Sequence, residues 1–253
     1  MTRGFVIMAQ DTETVSYTKC AKALEISIKR VMPDAQVTVI TTDMLPYGDK
    51  GGFANDWQVY DASPYDETIK IEADMFIPRN IDHWWDILGQ QDIVICDKIR
   101  NFKGEISHAR GYRRFIDDNN LPDVYNAITY FKKSDTAKQF YGIVRDIFEN
   151  WEEYKKLLKC NTEEAASTDW VYAIASHIMG AKNVTMPMFD EFSMTHMKQF
   201  INNLPGEDWT QVLIYECLPH ALRINTFTQS YPLHYHVKSF SDTLLERYKW
   251  KTL

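Results

Sequence analysis

The side chains whose types and spacing suit chemistry begin with Glu72 and Asp74, inside the stretch Tyr65 to Asp82, Y-D-E-T-I-K-I-E-A-D-M-F-I-P-R-N-I-D. Ile69, Ile71, Ala73, Met75 and Ile77 alternate with Lys70, Glu72 and Asp74, the period-2 pattern of a strand, so both carboxylates are expected on one side of it. Acids this close repel each other unless a cation lies between them, and a divalent ion that in turn holds a diphosphate would satisfy both. Two solvated acids at a strand end are the plainer alternative on spacing alone. Near the other end of the chain, P-L-H-Y-H-V-K places His234, His236 and Lys238 on one face of an extended segment. A neutral imidazole can join Asp74 on a metal, and Lys238 can meet a diphosphate. Asp169 falls in the first turn of a helix started by Ser167 or Thr168, where the helix dipole favours an acid whatever its role.

A second cluster is cationic. Residues 98 to 115 read K-I-R-N-F-K-G-E-I-S-H-A-R-G-Y-R-R-F, with Lys98, Arg100, Lys103, Arg110, Arg113 and Arg114 against the single acid Glu105. Phe102, Tyr112 and Phe115 are interleaved, so rings could stack on bases or sugars while the cations meet phosphates. A solvated loop paired with acids elsewhere is the alternative.

These residues need a scaffold, and the apolar pattern supplies one. Gly4 to Ala9 is a short apolar run ending in Gln10 and Asp11, as in a strand covered on both faces. Ser16 caps a helix carrying Ala21, Leu24, Ile28 and Val31 that Pro33 stops, and Gln36 to Thr41 forms the next strand. Strand, helix, strand in about forty residues is a βαβ unit with a right-handed crossover to a parallel neighbour. Further strands are expected at Asp92 to Cys96 and Val124 to Phe131. A short helix at Asp82 to Leu88 and one long helix from Ser134 to Leu158 complete the pattern. After Val184 the helical signals are weak: Ser193 to Asn203, Asp208 to about Leu222, and a short helix from Ser241. The loop Leu45 to Phe53 has neither of the glycine spacings that cradle phosphates in dinucleotide-binding and P-loop proteins, and reads as a mobile surface loop.

Bulk properties narrow the classes. An apolar content of 45% with 25% charged residues is that of a globular protein, and the net charge of -7 excludes a generally basic coat for nucleic acid. Cys20, Cys96, Cys160 and Cys217 have neither disulfide-framework nor zinc spacing and read as buried free thiols. The apolar run at the N-terminus is too short for a signal peptide and no segment has the length of a membrane span, so a soluble cytoplasmic protein is expected.

Taken together, these pieces resemble the nucleotide-sugar-dependent glycosyltransferases of the GT-A fold, especially the family-8, glycogenin-like and galactosyltransferase-like group. The strongest likeness is I-K-I-E-A-D-M-F-I-P-R-N-I-D, similar to the family's acid-Ala-Asp signature and its following Asn-Ile-Asp. The resemblance implies an α/β fold: a single GT-A-like domain whose Rossmann-like, mostly parallel sheet is flanked by helices. Residues 1–185 would be the nucleotide-sugar-binding and catalytic core, and 186–253 a helical C-terminal region that returns the His/Lys segment to the active site. It further implies Mn2+ or Mg2+ and a nucleotide-sugar donor, UDP-linked in this group. Asp74 would be the main metal ligand, with Glu72 on the metal or the ribose. His236 would be the third ligand, with His234 the alternative, and Lys238 would lie at the diphosphate. Ala9, Gln10 and Tyr17 match the loop that holds the nucleobase. Asn126, in Y-N-A-I where the family has Asn-Ala-Gly, would lie at the sugar, and Asp169 resembles the acid near the reacting carbon.

The expected reaction is sugar transfer to a hydroxyl acceptor with retention of anomeric configuration. Arg110, Arg113 and Arg114 would meet the acceptor. The basic segment is similar in character to what phage-encoded enzymes need to glycosylate hydroxymethylated cytosine in DNA, which would place the protein in a host cytoplasm, while a glycan or protein hydroxyl is the other option. Two competing readings follow from the same residues. One is a non-catalytic nucleic-acid-binding protein working through segment 98–115. The other, a nucleotidyltransferase, lacks the glycine-rich loop with a following Arg or Lys expected after the first strand.

Overall fold

Alternating apolar residues divide between the two faces of a central sheet. Phe5, Ile7, Ile69, Ile71, Val94 and Cys96 bury on one side, while Val6, Ile93 and Ile95 bury on the other. A computed structural model describes residues 1–97, 99–107, 113–159, 164–187 and 189–248. In chain order the elements are β1 (Arg3–Met8), α1 (Tyr17–Val31), β2 (Val37–Ile40), α2 (Val59–Ala62), β3 (Glu67–Glu72), β4 (Met75–Phe76), α3 (Trp84–Leu88), β5 (Ile93–Asp97), α4 (Arg114–Asp118) and β6 (Val124–Lys132). There follow α5 (Asp135–Glu149), α6 (Trp151–Leu157), α7 (Thr168–Met179), α8 (Ala181–Val184), β7 (Thr185–Pro187), β8 (Thr195–His196), α9 (Gln199–Asn202) and α10 (Trp209–Val212). Last come β9 (Tyr215–Leu218), β10 (Ala221–Ile224), β11 (Phe227–Gln229), β12 (Leu233–His234) and α11 (Phe240–Tyr248).

The main sheet has the order β2-β1-β3-β6-β5-β7, with β6 antiparallel to both neighbours and the remaining pairs parallel. This is the α/β, mostly parallel architecture expected. The Ser16 hydroxyl accepts from the Lys19 N–H at 3.3 Å and starts α1, as its residue type predicts. At the other end of β1 the chain tolerates no side chain: a Cβ on Gly4 would lie 2.4 Å from the Tyr65 ring, whose hydroxyl is 2.8 Å from Thr38 Oγ1. Gly4→Ala is therefore expected to lower stability by about 1–3 kcal/mol through overpacking, measured by urea unfolding; an unchanged midpoint would show that Tyr65 moves aside freely.

Several expectations need correction. The stretch Ile69 to Ile77 is not one strand: β3 stops at Glu72 and a turn separates it from β4. Lys70, which the alternation placed on the side of Glu72 and Asp74, is fully buried and paired at 2.7 Å with Asp56. The helix from Ser134 breaks at Asn150, whose side chain bonds back to Asp146, the usual competition of Asn with helix backbone. The C-terminal region is not mainly helical. From Asp208 only Trp209–Val212 is helix, and β9, β10 and β11 form an antiparallel meander. Cys217 faces Leu222 across it and Glu216 faces Arg223, so a period of 2 governs this stretch. The loop at residues 45–53 is held rather than free, because Asn55 and Gln58, both buried, bond to Asp49, Lys50, Tyr47 and Gly48. Cys20, Cys96 and Cys217 are buried free thiols, and Cys160 lies outside the described residues. No helix among the described residues is long and apolar enough to cross a membrane.

Candidate metal centre

The turn at Ala73 and Asp74 sends the chain from the main sheet into a small one. There β12 pairs antiparallel with β4, His234 opposite Met75, and parallel with β8, His234 opposite His196. Backbone bonds fasten the three segments: Tyr235 N–H donates to Asp74 O at 3.1 Å, and Met197 N–H to His234 O at 2.9 Å. Trp209, fully buried, donates its indole N–H to Tyr235 O at 2.7 Å and packs on Phe240, which anchors the same segment from behind. His234 is thereby held over the end of β3.

His234 Nε2 lies 3.1 Å from Asp74 Oδ2 and 3.3 Å from Glu72 Oε2, and Lys238 Nζ lies 2.6 Å from Asp74 Oδ2. Burial alone would raise the Asp74 carboxyl, yet His234, Lys238 and His236 outweigh it and hold Asp74 well below the usual carboxylate range. Glu72 goes the other way, raised by burial that His234 and Lys70 only partly offset. Burial opposes the charge on His234 and on Lys238, but Asp74 more than restores it, so both are raised. One imidazole and one ammonium thus supply the counter-charge that these acids require.

The same geometry suits a divalent ion. Donor atoms of Glu72, Asp74 and His234 lie within 4.8 Å of one another, and two carboxylate oxygens with one imidazole nitrogen are a set that manganese or magnesium accepts, with positions left for phosphate oxygen and water. It is His234, not His236, that meets the carboxylates. His236 instead stacks on His234 and His196, and its pKa is pushed down to about 2 by burial and by His234. Tyr17 borders the cluster: Lys238 Nζ lies 5.7 Å from its ring centre, and its hydroxyl pKa is raised by burial and by Asp74 and Glu72 against the opposing charge of Lys238.

The remaining candidates stand further off. Gln10 accepts from Asn55 Nδ2 at 3.0 Å, and Ala9 is buried beside β2 with its N–H on Ile40 O. Asn126 lies where β6 bulges: Ile95 faces Thr129 but Cys96 faces Tyr125, which leaves Asn126, Ala127 and Ile128 as extra residues against β5. Its side-chain nitrogen is buried without a hydrogen-bond partner among the described residues. Asp169 does enter the first turn of α7, where Arg113 bonds it at 3.2 Å. Arg113 also pairs with Asp123 at 3.1 Å, and its guanidinium stands 3.9 Å from the Tyr125 ring centre. Tyr125 meets His196 edge-on at 5.9 Å, so packed side chains run from Asp169 to the histidines.

Among the described cations of the basic segment, Lys103 and Arg114 are exposed, whereas Arg100 and Arg113 are withdrawn from the surface. Arg113 is 1% exposed, and Arg100 is tied to Ser193, Gly104 and Asp190. Phe102 is buried and Phe115 stacks on Trp170 at 4.0 Å. Arg114 points outward and pairs with Asp118 at 3.3 Å. Lys98, Arg110 and Tyr112 lie outside the described residues. Sequence reasoning missed His196, which no periodicity marks and which reaches the site only because β8 pairs with β12. It also missed Asp56 as the partner of Lys70.

No protein-family model matches the sequence, and no curated protein matches it. Among solved structures, an active-site mutant of the galactosyltransferase LgtC superposes with a TM-score of 0.53 at 10% identity, over 96% of this chain and 95% of that one. The apo form of the glycosyltransferase GlyE of Streptococcus pneumoniae TIGR4 gives 0.51 at 9% identity, over 100% of this chain and 64% of its own length. This chain therefore spans less than two thirds of GlyE and nearly all of LgtC. At such identities the likeness is one of architecture, and the architecture of this chain is that of the GT-A-type glycosyltransferases.

Proposed function

We propose that the protein transfers a sugar from a nucleoside-diphosphate donor, UDP-linked, to a hydroxyl acceptor, with Mn2+ or Mg2+ held by Glu72, Asp74 and His234. The observation that carries this reading is the convergence of those three side chains and Lys238 at the end of β3. In the reaction the bond from the anomeric carbon to the diphosphate breaks, the acceptor oxygen bonds to that carbon, and the hydroxyl proton is lost. When bound, the divalent ion supplies Lewis-acid stabilisation of the departing diphosphate. Lys238 adds a second positive charge to the same oxygens once released from Asp74. Tyr17, beside Lys238, offers a ring on which the nucleobase side of the donor packs. Asp169 would stabilise positive charge on the anomeric carbon or position the acceptor hydroxyl, and Arg113 fixes the direction of its carboxylate. Retention of configuration follows the group this chain resembles.

The assay combines the protein and Mn2+ with a panel of sugar nucleotides and detects free nucleoside diphosphate with and without a glycan or hydroxymethylated DNA. One donor is expected to be consumed in an acceptor-dependent way, with turnover lost on chelation and restored by Mn2+. Pyrophosphate release would identify a nucleotidyltransferase instead. Salt-sensitive DNA binding with no donor consumed would favour the nucleic-acid-binding reading, which the burial of Arg113 weakens.

A further inference from the structure

Behind the carboxylates the small sheet gathers three histidines. The ring centres lie 4.5 Å apart for His196 and His234, 4.7 Å for His196 and His236 and 4.5 Å for His234 and His236, with interplanar angles of 15°, 29° and 15°, so the rings are stacked and must turn about their Cβ–Cγ bonds to aim nitrogens at one ion. One ring nitrogen of each falls within 4.8 Å of the others. His196 is 4% exposed and His234 6%, and the Nδ1 atom of each is buried without a hydrogen-bond partner among the described residues. Two orphaned nitrogens in one cluster are costly unless a ligand satisfies them. His236 is held there in a left-handed backbone conformation, φ 62°, which is uncommon for a residue other than glycine and is tolerated where surrounding structure imposes it. A cavity of about 330 Å³ opens beside His236, lined by Lys198, Phe200, Glu207 and Asp208, and supplies a path of entry.

We infer that His196, His234 and His236 form a second divalent-cation site, made of nitrogen donors only and suited to zinc, which shares His234 with the carboxylate site and so competes with it. Three imidazoles with a water in the fourth position are a tetrahedral zinc set, whereas Glu72 and Asp74 favour harder ions. His234 presents Nε2 to the acids, so turning its ring to bring a nitrogen onto zinc takes from the carboxylate site its nitrogen ligand. The zinc site stands by itself; only the competition rests on the transferase reading.

The test uses the full chain stripped of metal, with Zn2+ titrated against a chromophoric chelator and Mn2+ followed by the loss of its free-ion EPR signal. Zn2+ is expected to bind and to release bound Mn2+. His236→Gln should weaken Zn2+ by more than about tenfold and leave Mn2+ binding in place, while Glu72→Gln should weaken Mn2+ and leave Zn2+ within about threefold. His196→Gln should repeat the first result; should that buried variant not fold, His236→Gln decides. Zn2+ affinity that ignores His236→Gln, or that falls with Glu72→Gln as Mn2+ does, overturns the proposal. Histidine-dependent Zn2+ binding without any Mn2+ binding would instead leave this site standing and remove the metal from the transferase reading.

Discussion

Asp74→Asn is expected to lower donor turnover by about a hundred- to a thousandfold, the usual loss when one electrostatic element at a developing charge is removed. The variant should still fold. Asp74 lies in a turn and its carbonyl still receives Tyr235 N–H, although the change takes the carboxylate away from Lys238 at 2.6 Å and His234 at 3.1 Å and so lowers stability. Thermal unfolding separates the two effects. For the parent chain, Mn2+ at about a hundred times its dissociation constant should stabilise by about 2.7 kcal/mol, or roughly 5–11 °C in a chain of this size. For Asp74→Asn the melting temperature without metal should fall, by less than for Lys70→Ala because Lys238 keeps partial access to water and His234 can lose its proton, and the Mn2+ increment should vanish. A variant that keeps both the increment and the turnover would refute the site.

The largest stability effect is expected not at the site but beneath it, for Lys70→Ala. Lys70 is fully buried, bonds Asp56 at 2.7 Å and reaches Asn126 O at 3.3 Å, while Asp56 also accepts from the Tyr172 hydroxyl. Removing the ammonium leaves the Asp56 carboxylate 12% exposed without its cation, which typically costs about 3–5 kcal/mol. That corresponds to a melting temperature lower by roughly 6–20 °C. The paired change Lys70→Met with Asp56→Leu should recover much of the loss, since it exchanges a desolvated ion pair for apolar packing. Because Lys70 bonds the bulge that carries Asn126, a second consequence is a drop in turnover in Lys70→Ala at temperatures where the variant is still folded. A midpoint within 2 °C of the parent would mean that water already reaches the pair, at variance with the zero exposure of Lys70.

What the residues alone determined is local. The buried strands Arg3–Met8, Ile93–Asp97 and Val124–Lys132 follow from short apolar runs, and α1 from Ser16, a 3.6-residue apolar period and Pro33. The pair Glu72 and Asp74 was legible because two acids within a buried strand pattern are chemically conspicuous, and H-Y-H-V-K because its spacing aligns three polar side chains. The meander of β9 to β11 was also written in the alternation of Tyr215, Cys217, Leu222 and Ile224, which a helical reading overlooked.

Tertiary structure decided the rest, since it concerns partners distant in sequence. The choice of His234 over His236 depends on the register of β12 against β4: a shift of two residues would bring His236 opposite Met75, and a shift of one would turn both histidines to the other face. Lys70 became a buried cation because Asp56, 14 positions earlier, folds back beneath the sheet, and Arg113 left the surface because Asp123 and Asp169 flank it. His196 entered through one parallel pairing with β12. Charge type and spacing show which side chains can do chemistry, but strand register and burial select which of them meet.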